Sequence, residues 1–343
     1  MKTLSTIAIV LGLVGTANAE LKTPQESPHA TVQQTIGLTV VTVDYHRPAV
    51  AGRPIWGKLV PYGEVWRAGA NENTTITFST DVKIAGKPLR AGTYGLHTLP
   101  TAKDWTVMFS TVASAWGSYT YDQKEDALRI TVTPRATAQS EERLLYRFDD
   151  PSMTKASLTL AWEKLSISIP IEVETPKVVM ASMRAELRGS ANFTAEGWAQ
   201  AAGYWLKNGG NLDEALKMAD KSIQMQPGYA NHMARATILE KKGNAAGAKE
   251  ARAAALVLAT ENDLNQAAYR LMGEKKVDEA VALFQSIAQK YPASWNAHDS
   301  LAEALATKGD KAGAIAAYEK ALGLAKDPVQ KKRITATIAK LKT

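Results

Sequence analysis

The sequence predicts a two-domain protein, an all-β antiparallel sandwich followed by an all-α superhelix of helical repeats. Two observations support this fold class. Apolar and polar residues alternate through the first half of the chain, whereas a pattern of small residues, leucine and alanine recurs through the second half. The 343 residues also leave room for two cores, because a domain usually contains about 100–200 residues.

Residues 1–19 have the pattern of a secretory signal peptide. Lys2 supplies a basic start, Ile7 to Val14 form a short apolar run, and Ala-Asn-Ala precedes a cleavage point after Ala19. Crossing a membrane takes about 20 apolar residues, and no cysteine follows that could carry a lipid. We therefore expect a periplasmic or secreted chain that is not a lipoprotein and has no transmembrane segment after signal removal.

The composition excludes several classes of function. A chain without cysteine has no disulfides, thiolate nucleophiles or thiolate metal ligands. Residues 20–183 contain 17 basic and 17 acidic residues, whereas residues 184–343 contain 23 and 17, so the positive charge is dispersed over the second half. Nucleic acid needs a denser basic stripe with aromatic residues. Nucleotide-binding glycine loops and a nucleophile elbow are also absent from the sequence, so we expect no cofactor and no nucleic-acid partner.

The β-sandwich is predicted for residues 30–174. Apolar residues at every second position indicate strands with one buried face. Turn sequences at 84–89, 90–94 and 99–105 separate short strands, as in an antiparallel sandwich. The alternating runs are Ile36, Leu38 and Val40; Trp105, Val107 and Phe109; Leu128, Ile130 and Val132; Leu158, Leu160 and Trp162; and Leu165, Ile167, Ile169, Ile171 and Val173.

Residues 175–193 are predicted as an interdomain linker, because Pro176 stops the last strand and Gly189 follows a short helical stretch. Four helical units follow in residues 194–328. Each has a small residue, a leucine three positions later and an alanine nine positions after that, an arrangement that lets antiparallel helices approach closely. The leucines are Leu206, Leu239, Leu271 and Leu305, and the alanines are Ala215, Ala248, Ala280 and Ala314.

This pattern resembles the tetratricopeptide repeat, a helix–turn–helix unit that stacks into a superhelix. Pro227 and Pro292 end second helices, Pro328 is displaced by two positions, and Thr260 stands where the second unit would have a proline. Residues 329–343 are predicted as a capping helix. The resemblance implies a groove, formed by the first helices, that holds a protein or peptide partner. Candidate groove residues are His232, Arg235, Asn265, Asn296 and His298; alternatively, they are ordinary solvated helix residues.

Longer motifs characterise the first half, among them "WGKLVPYGEVWRAGANENTTITFSTDVKIAGKPLRAGTYGLHTLP", "DWTVMFS" and "WGSYTYDQKEDALRITVTP". Over most of residues 30–173 the sequence resembles an exported bacterial family known only as domain of unknown function 2911. That resemblance implies no particular activity. His97 stands in "YGLHTLP" where an apolar or aromatic residue is expected, so any role of His97 is particular to this protein.

The stretch "WRAGANENTTITFS", residues 66–79, has three interpretations. It is a structured turn in which asparagines bond to nearby backbone, or part of a ligand site with an aromatic platform, a cation and amides for a sugar or carboxylate. In the third, Glu72 works in catalysis with Asp44 or Glu64. The ligand-site candidates here are Arg53, Trp56, Trp66, Arg67, Asn71 and Glu72.

A second polar and aromatic stretch, "WGSYTYDQKED" at 116–126, adds Trp116 and Tyr121 to the ligand-site candidates. The alternative is a loop that lays Trp116, Tyr119 and Tyr121 over the core. Asp44 and His46 share one face of a strand and would need a further ligand to hold a metal, so we expect a structural pair and no metal site.

The sequence thus favours an exported, non-catalytic binding protein. The repeat domain would bind a protein or peptide partner, and the β-domain, of unassigned activity, would offer a site for a small ligand. The alternative is a hydrolase or carbohydrate-active enzyme with its site in the β-domain.

Overall fold

The computed structural model describes residues 23–342, so the predicted signal peptide lies outside the described residues. The chain divides into two compact units, the first ending at Val179 and the second beginning at Met180. Within residues 23–342, no helix has the length and apolar character needed to cross a membrane.

The first unit consists of strands. They are β1 (His29–Ile36), β2 (Thr39–His46), β3 (Thr75–Phe78), β4 (Val82–Ile84), β5 (Lys87–Leu89), β6 (Gly92–Leu99), β7 (Trp105–Ser110), β8 (Asp126–Val132), β9 (Arg135–Asp149) and β10 (Lys155–Glu172). They form a six-stranded sheet in the order β1-β2-β3-β6-β7-β8 and a four-stranded sheet in the order β5-β4-β10-β9, and the pairings are antiparallel.

One core fills the space between the two sheets, which confirms the predicted sandwich. Trp105 and Phe109 on β7 pack into the same buried cluster as Leu158 and Trp162 on β10. Because these side chains alternate along their strands, each strand turns one face to the core and the other away from it.

Two details differ from the predicted strands. Leu38 is half exposed, because it lies in the turn between β1 and β2, and the buried face of β2 carries Val41 and Val43 instead. The two apolar runs after residue 157 belong to a single strand, β10. Its register with β9 shifts on both sides of Glu163, which has a positive φ of 53°. This β-bulge adds a residue, so the apolar positions continue on the core face beyond it.

The second unit consists of helices. With α1, the chain contains α1 (Thr175–Glu186), α2 (Ala195–Lys207), α3 (Leu212–Met225), α4 (Tyr229–Lys241), α5 (Ala245–Leu258), α6 (Glu261–Gly273), α7 (Val277–Lys290), α8 (Trp295–Lys308), α9 (Lys311–Leu324) and α10 (Pro328–Lys342). The helix α1 lies in the segment predicted as a linker, and its Met180 is buried in one cluster with Trp205 of α2.

Four antiparallel helix pairs, α2–α3, α4–α5, α6–α7 and α8–α9, form the predicted repeats. The four alanines at the repeating position, in the second helix of each pair, are fully buried. Thr260, in place of a proline, caps α6 by accepting a hydrogen bond from the Asp263 backbone N–H, and the Asp263 carboxylate accepts one in return. Pro328 does not end α9 but begins α10, where its fixed φ suits the first helical turn.

Candidate functional site

The two polar and aromatic stretches singled out in the sequence are neighbours in the first unit. The backbone N–H of Asn73 donates to the carbonyl oxygen of Ala115 at 3.1 Å, and Glu72 pairs with Trp116 as an isolated antiparallel bridge. The residues in contact are more than 40 positions apart in the sequence. The fold therefore joins residues 66–73 to the segment 111–125, which we call the covering loop.

Trp56 and Trp66 are partly buried against the sandwich core. The Trp66 ring stacks on the buried Trp162 ring with centroids 5.8 Å apart, and its Nε1 donates to the Gly69 carbonyl oxygen. The Trp56 ring contacts Trp105 at 4.7 Å. These two tryptophans are partly buried and pack against the sandwich core; their predicted role as an aromatic platform stays a prediction.

The other candidates of the first stretch have mixed roles. Arg53 donates to the Val50 carbonyl oxygen and so stabilises a local turn. Asn71 has a positive φ of 57° and donates to the Ser27 carbonyl oxygen, which links its turn to a segment 44 positions earlier in the chain. Arg67 differs, because its Nε is buried without a hydrogen-bond partner. Its guanidinium group lies against Gly117 of the covering loop.

Two histidine–carboxylate pairs lie near the β1–β2 edge of the six-stranded sheet. His29 Nε2 and Asp44 Oδ1 are 2.7 Å apart, and His46 Nδ1 and Glu72 Oε2 are 3.5 Å apart. Asp44 thus bonds to His29, not to His46, and each carboxylate has its own histidine, while Glu64 is exposed. Among the described residues, no group of three or more acidic or histidine side chains is arranged to hold a metal ion.

A small cavity lies under the covering loop, on the face of β6 and β7 that points away from the sandwich core. Met108 on this face is fully buried but does not belong to the core cluster. The cavity measures about 10 Å³, roughly the room that one water molecule needs. Its lining residues are Asn73, His97, Ser110, Val112, Ala115, Gly117, Thr120, Tyr121 and Glu125.

Asn73 is the least satisfied polar residue in this cavity. It is only 7% exposed, and neither its Nδ2 nor its Oδ1 has a hydrogen-bond partner within the described part of the chain. A buried polar group without a partner costs roughly 1–3 kcal/mol. The side chain of Asn73 therefore presents both a free donor and a free acceptor to the cavity.

His97 is 3% exposed and lines the same cavity. Its Nδ1 and Ser118 Oγ share a hydrogen bond of 2.8 Å, and its ring contacts that of Tyr121 at 5.2 Å. Burial lowers the pKa of His97, and the smaller effect of the Asp126 carboxylate opposes this shift. A neutral imidazole can accept or donate a proton at its second nitrogen.

Tyr121 is fixed by the partly buried ion pair of Asp126 and Arg129. Its hydroxyl donates to Asp126 Oδ2 at 2.6 Å and accepts from an Arg129 guanidinium N–H at 3.0 Å. Burial and the bond to the Asp126 carboxylate raise the pKa of Tyr121 well above its usual value. The phenol therefore stays protonated, and its hydroxyl is already engaged by Asp126 and Arg129.

The covering loop points its largest aromatic side chains outwards. Trp116 is 62% exposed and Tyr119 is 84% exposed, whereas Ser118 and Tyr121 turn inwards to His97. The interpretation that this loop lays its aromatic residues over the core is thus wrong for Trp116 and Tyr119. Tyr119 packs against Gly117, beside the Arg67 guanidinium. The result is an aromatic surface next to a polar cavity.

The sequence did not identify Asn73, Ser118 and Asp126 as site residues. Asn73 was predicted to bond to nearby backbone, as asparagines in turns commonly do. The available signal was His97, a polar residue in an otherwise apolar strand. His97 lies on the face of β6 that the covering loop covers.

In the second unit, the first helices contact each other in two places, α2 with α4 and α6 with α8. Tyr269 on α6 donates its hydroxyl hydrogen to Glu303 Oε2 on α8 at 2.7 Å, and α2 likewise contacts α4. Burial raises the pKa of Tyr269, the hydrogen bond with Ser300 on α8 lowers it, and Glu303 on α8 raises it. The net pKa is about 12. We call the surface formed by α2, α4, α6 and α8 the first-helix face.

The predicted groove residues fall into three groups. His232 Nδ1 and Asn265 Oδ1 are buried atoms without a partner in the described residues. Arg235 is paired with Asp220 at 2.7 Å, and Asn296 is half-buried. His298 is 4% exposed and donates through Nε2 to the Pro292 carbonyl oxygen. The structure therefore places His298 in the interior, where it fixes a turn, and not on an open groove as predicted.

Residues 27–171 match the family described as "Protein of unknown function (DUF2911)", which confirms the resemblance predicted for the first half. No curated protein matches the chain. Among solved structures, the chain is similar to YrrB, described as a TPR protein with an unusual peptide-binding site (18% identity, 47% of this chain, 84% of that chain, TM-score 0.28). It is also similar to the MamA protein (14%, 42%, 80%, TM-score 0.27) and to a Pseudomonas aeruginosa pilF structure (20%, 45%, 75%, TM-score 0.26). At such low identity and TM-score, these likenesses carry no functional argument.

Proposed function

We propose that the second unit binds an extended segment of a partner protein on the first-helix face. The observation that carries this proposal is the pair of unsatisfied atoms, His232 Nδ1 and Asn265 Oδ1, on the first helices of neighbouring repeats. Each costs roughly 1–3 kcal/mol while it has no partner. A bound peptide would remove that cost.

The chemistry of these two atoms suits a peptide backbone. Asn265 Oδ1 accepts hydrogen bonds, and the N–H groups of an extended peptide recur at intervals of about 3.3 Å per residue. His232 Nδ1 can donate or accept, according to its tautomer. Arg235 on α4 and Glu303 on α8 already have partners, so we expect the peptide backbone rather than charge to supply the main contacts.

A peptide library displayed on phage and selected against the full-length chain tests this proposal. We expect enrichment of a short motif, and we expect the enriched peptide to bind about tenfold more weakly, by fluorescence polarisation, to His232→Ala and Asn265→Ala. Gln285→Ala removes an exposed carboxamide from α7, a second helix, and should leave binding unchanged. Absence of an enriched motif, or equal binding by wild type and Asn265→Ala, would reject the proposal.

We also propose that the chain is exported, to the periplasm or out of the cell, with loss of residues 1–19. The support is the order of Lys2, the apolar run and the Ala-Asn-Ala sequence. Amino-terminal sequencing of the protein recovered from cell fractions should begin at Glu20. Recovery of an intact Met1 from the cytoplasm would contradict export.

A second candidate function is hydrolysis in the first unit. It is favoured by the hydrogen bond between Ser118 Oγ and His97 Nδ1, since a serine beside a neutral histidine is the minimal arrangement of a nucleophile and a base. Within residues 23–342 no side chain bonds to the second ring nitrogen of His97 to orient it, which makes this candidate the weaker one. Hydrolysis of p-nitrophenyl esters and glycosides that Ser118→Ala abolishes would establish it.

A further inference from the structure

We propose that the cavity under the covering loop is the polar end of a binding site for a neutral saccharide, with Trp116 and Tyr119 as the stacking surface. In this arrangement one sugar hydroxyl enters the cavity and bonds to the amide of Asn73. This site lies wholly in the first unit, and the proposal does not depend on partner binding by the second unit.

The amide of Asn73 selects for a group that both donates and accepts. Its Nδ2 and Oδ1 are buried without partners, so a ligand that satisfies only one of them leaves the other desolvated. A hydroxyl group donates one hydrogen bond and accepts others, and neighbouring sugar hydroxyls can divide these tasks. His97, on the same cavity wall, offers a further ring nitrogen.

The size of the cavity agrees with a hydroxyl rather than a larger group. About 10 Å³ is the room of one water molecule, and a hydroxyl oxygen has nearly the same size. A water can occupy the cavity in the free protein and leave when the hydroxyl enters, with its hydrogen bonds reproduced. The body of the ligand then remains outside the cavity, against the surface of the covering loop.

That outer surface is aromatic. Ala115 and Gly117 line the cavity on either side of Trp116 in the chain, and Thr120 and Tyr121 follow Tyr119 directly. Trp116 and Tyr119 are each exposed on this loop. Exposed aromatic side chains beside a polar cavity are characteristic of ligand sites, which combine a mainly apolar lining with a few precisely placed polar groups. The apolar C–H faces of a sugar ring suit such a surface.

The charge of the lining favours a neutral ligand. The lining residues include one carboxylate, Glu125, and no lysine or arginine. Arg67 contacts Gly117 from outside the set of lining residues. An anionic ligand would therefore meet a carboxylate at the cavity and no opposing charge within it.

Saturation-transfer NMR on the full-length chain tests this proposal directly. The probes are neutral trisaccharides of glucose, galactose, mannose, xylose and N-acetylglucosamine, with trialanine as a peptide probe. We expect transfer to at least one trisaccharide, and a dissociation constant that rises about tenfold in Asn73→Ala and in Trp116→Ala. Trp116 is exposed and Asn73 makes no side-chain hydrogen bond, so both variants should fold, which unfolding curves verify.

Phe193→Ala is the matched control, because Phe193 is an exposed aromatic residue of the second unit. It should bind the trisaccharide as wild type does. The proposal fails if no trisaccharide gives a signal, if the signal is the same in Asn73→Ala and Trp116→Ala, or if trialanine alone binds. None of these results bears on whether the peptide selected from the phage library binds to the second unit, so the two proposals can fail separately.

Discussion

Asn73 Nδ2 and His97 Nε2 both lie 3.3 Å from the point where a Cβ atom on Gly95 would stand. Gly95 is on β6, between the two side chains, and its missing side chain keeps the floor of the cavity open. The backbone carbonyl oxygen of Val112, in the covering loop, approaches the same point even more closely. A glycine at this position is therefore what lets the loop close over the sheet.

Replacement of Gly95 by alanine should displace the covering loop. The added methyl group meets a backbone oxygen that cannot rotate away, so we expect a loss of about 1–3 kcal/mol in the free energy of unfolding, measured by urea denaturation. Gly203→Ala is the control, because no atom other than the neighbouring backbone of α2 lies within 4 Å of its Cβ position. Alanine there should raise stability by about 0.5–1 kcal/mol, as it is the better helix former. Equal stability of the two variants would contradict this account of Gly95.

Two asparagines with equal burial should respond differently to alanine. Asn73 and Asn231 are each 7% exposed, but Asn231 bonds to Ser222, Gln226 and Gly228. Loss of these bonds should cost about 2–3 kcal/mol, whereas Asn73→Ala should cost less than about 1 kcal/mol. The thermal unfolding of the unit that carries each residue measures the difference. A large cost for Asn73→Ala would mean that its amide already has a structural partner.

The stability of the first unit should depend on pH through His97. Its folded pKa is lowered by burial, so below about pH 6.5, the usual value, the unfolded chain binds the proton more readily. The stabilising contribution of neutral His97 is therefore fully present above about pH 6.5 and is lost as the pH falls through the folded pKa. His97→Phe should remove this part of the pH dependence. Urea denaturation of both proteins, at about one-unit intervals between pH 8 and pH 5, measures it. Parallel curves for wild type and variant would contradict the buried, neutral histidine.

Glu214 should stabilise the second unit more than an ordinary surface carboxylate does. It accepts two hydrogen bonds from Arg184 at 2.7 Å and one from Trp205 Nε1 at 2.8 Å. The bonds to Arg184 lower the pKa of Glu214 to about 2, so its contribution is complete above about pH 4.5 and is lost as the pH falls towards 2. With allowance for the half-exposed Arg184, Glu214→Gln should cost about 1–2 kcal/mol at pH 7.

The control for Glu214→Gln is Glu319→Gln, which breaks an exposed ion pair with Lys342. Such pairs contribute roughly 0–1 kcal/mol, so the thermal unfolding temperature should change little. If the two variants had the same effect at pH 7, the network around Trp205 would not be the cause of the extra stability.

The repeats could be predicted from the sequence because their geometry fixes residue type. Ala215, Ala248, Ala280 and Ala314 are all buried at the closest approach of two helices, where a larger side chain does not fit. Spacing alone was therefore sufficient. The position of the His298 side chain could not be predicted from spacing, because an imidazole within a helix is compatible with both an open groove and a bond to the Pro292 carbonyl oxygen.

The candidate site in the first unit could be predicted only in part. Both stretches that form it were recognised from composition, but a loop has no period from which the direction of each side chain follows. The exposure of Trp116 and Tyr119 and the bond of the partly buried Ser118 to His97 depend on how the covering loop lies on β6 and β7. The bulge at Glu163 is a similar case, because the extra residue is defined only by the partner strand.

Hydrogen exchange of the full-length chain, with and without the peptide selected by the library, tests the central claim most directly. Binding on the first-helix face predicts slower exchange in α4 and α6, which carry His232 and Asn265, and no change in residues 111–125. Slower exchange confined to residues 111–125, or no change anywhere, would contradict the assignment of partner binding to the second unit.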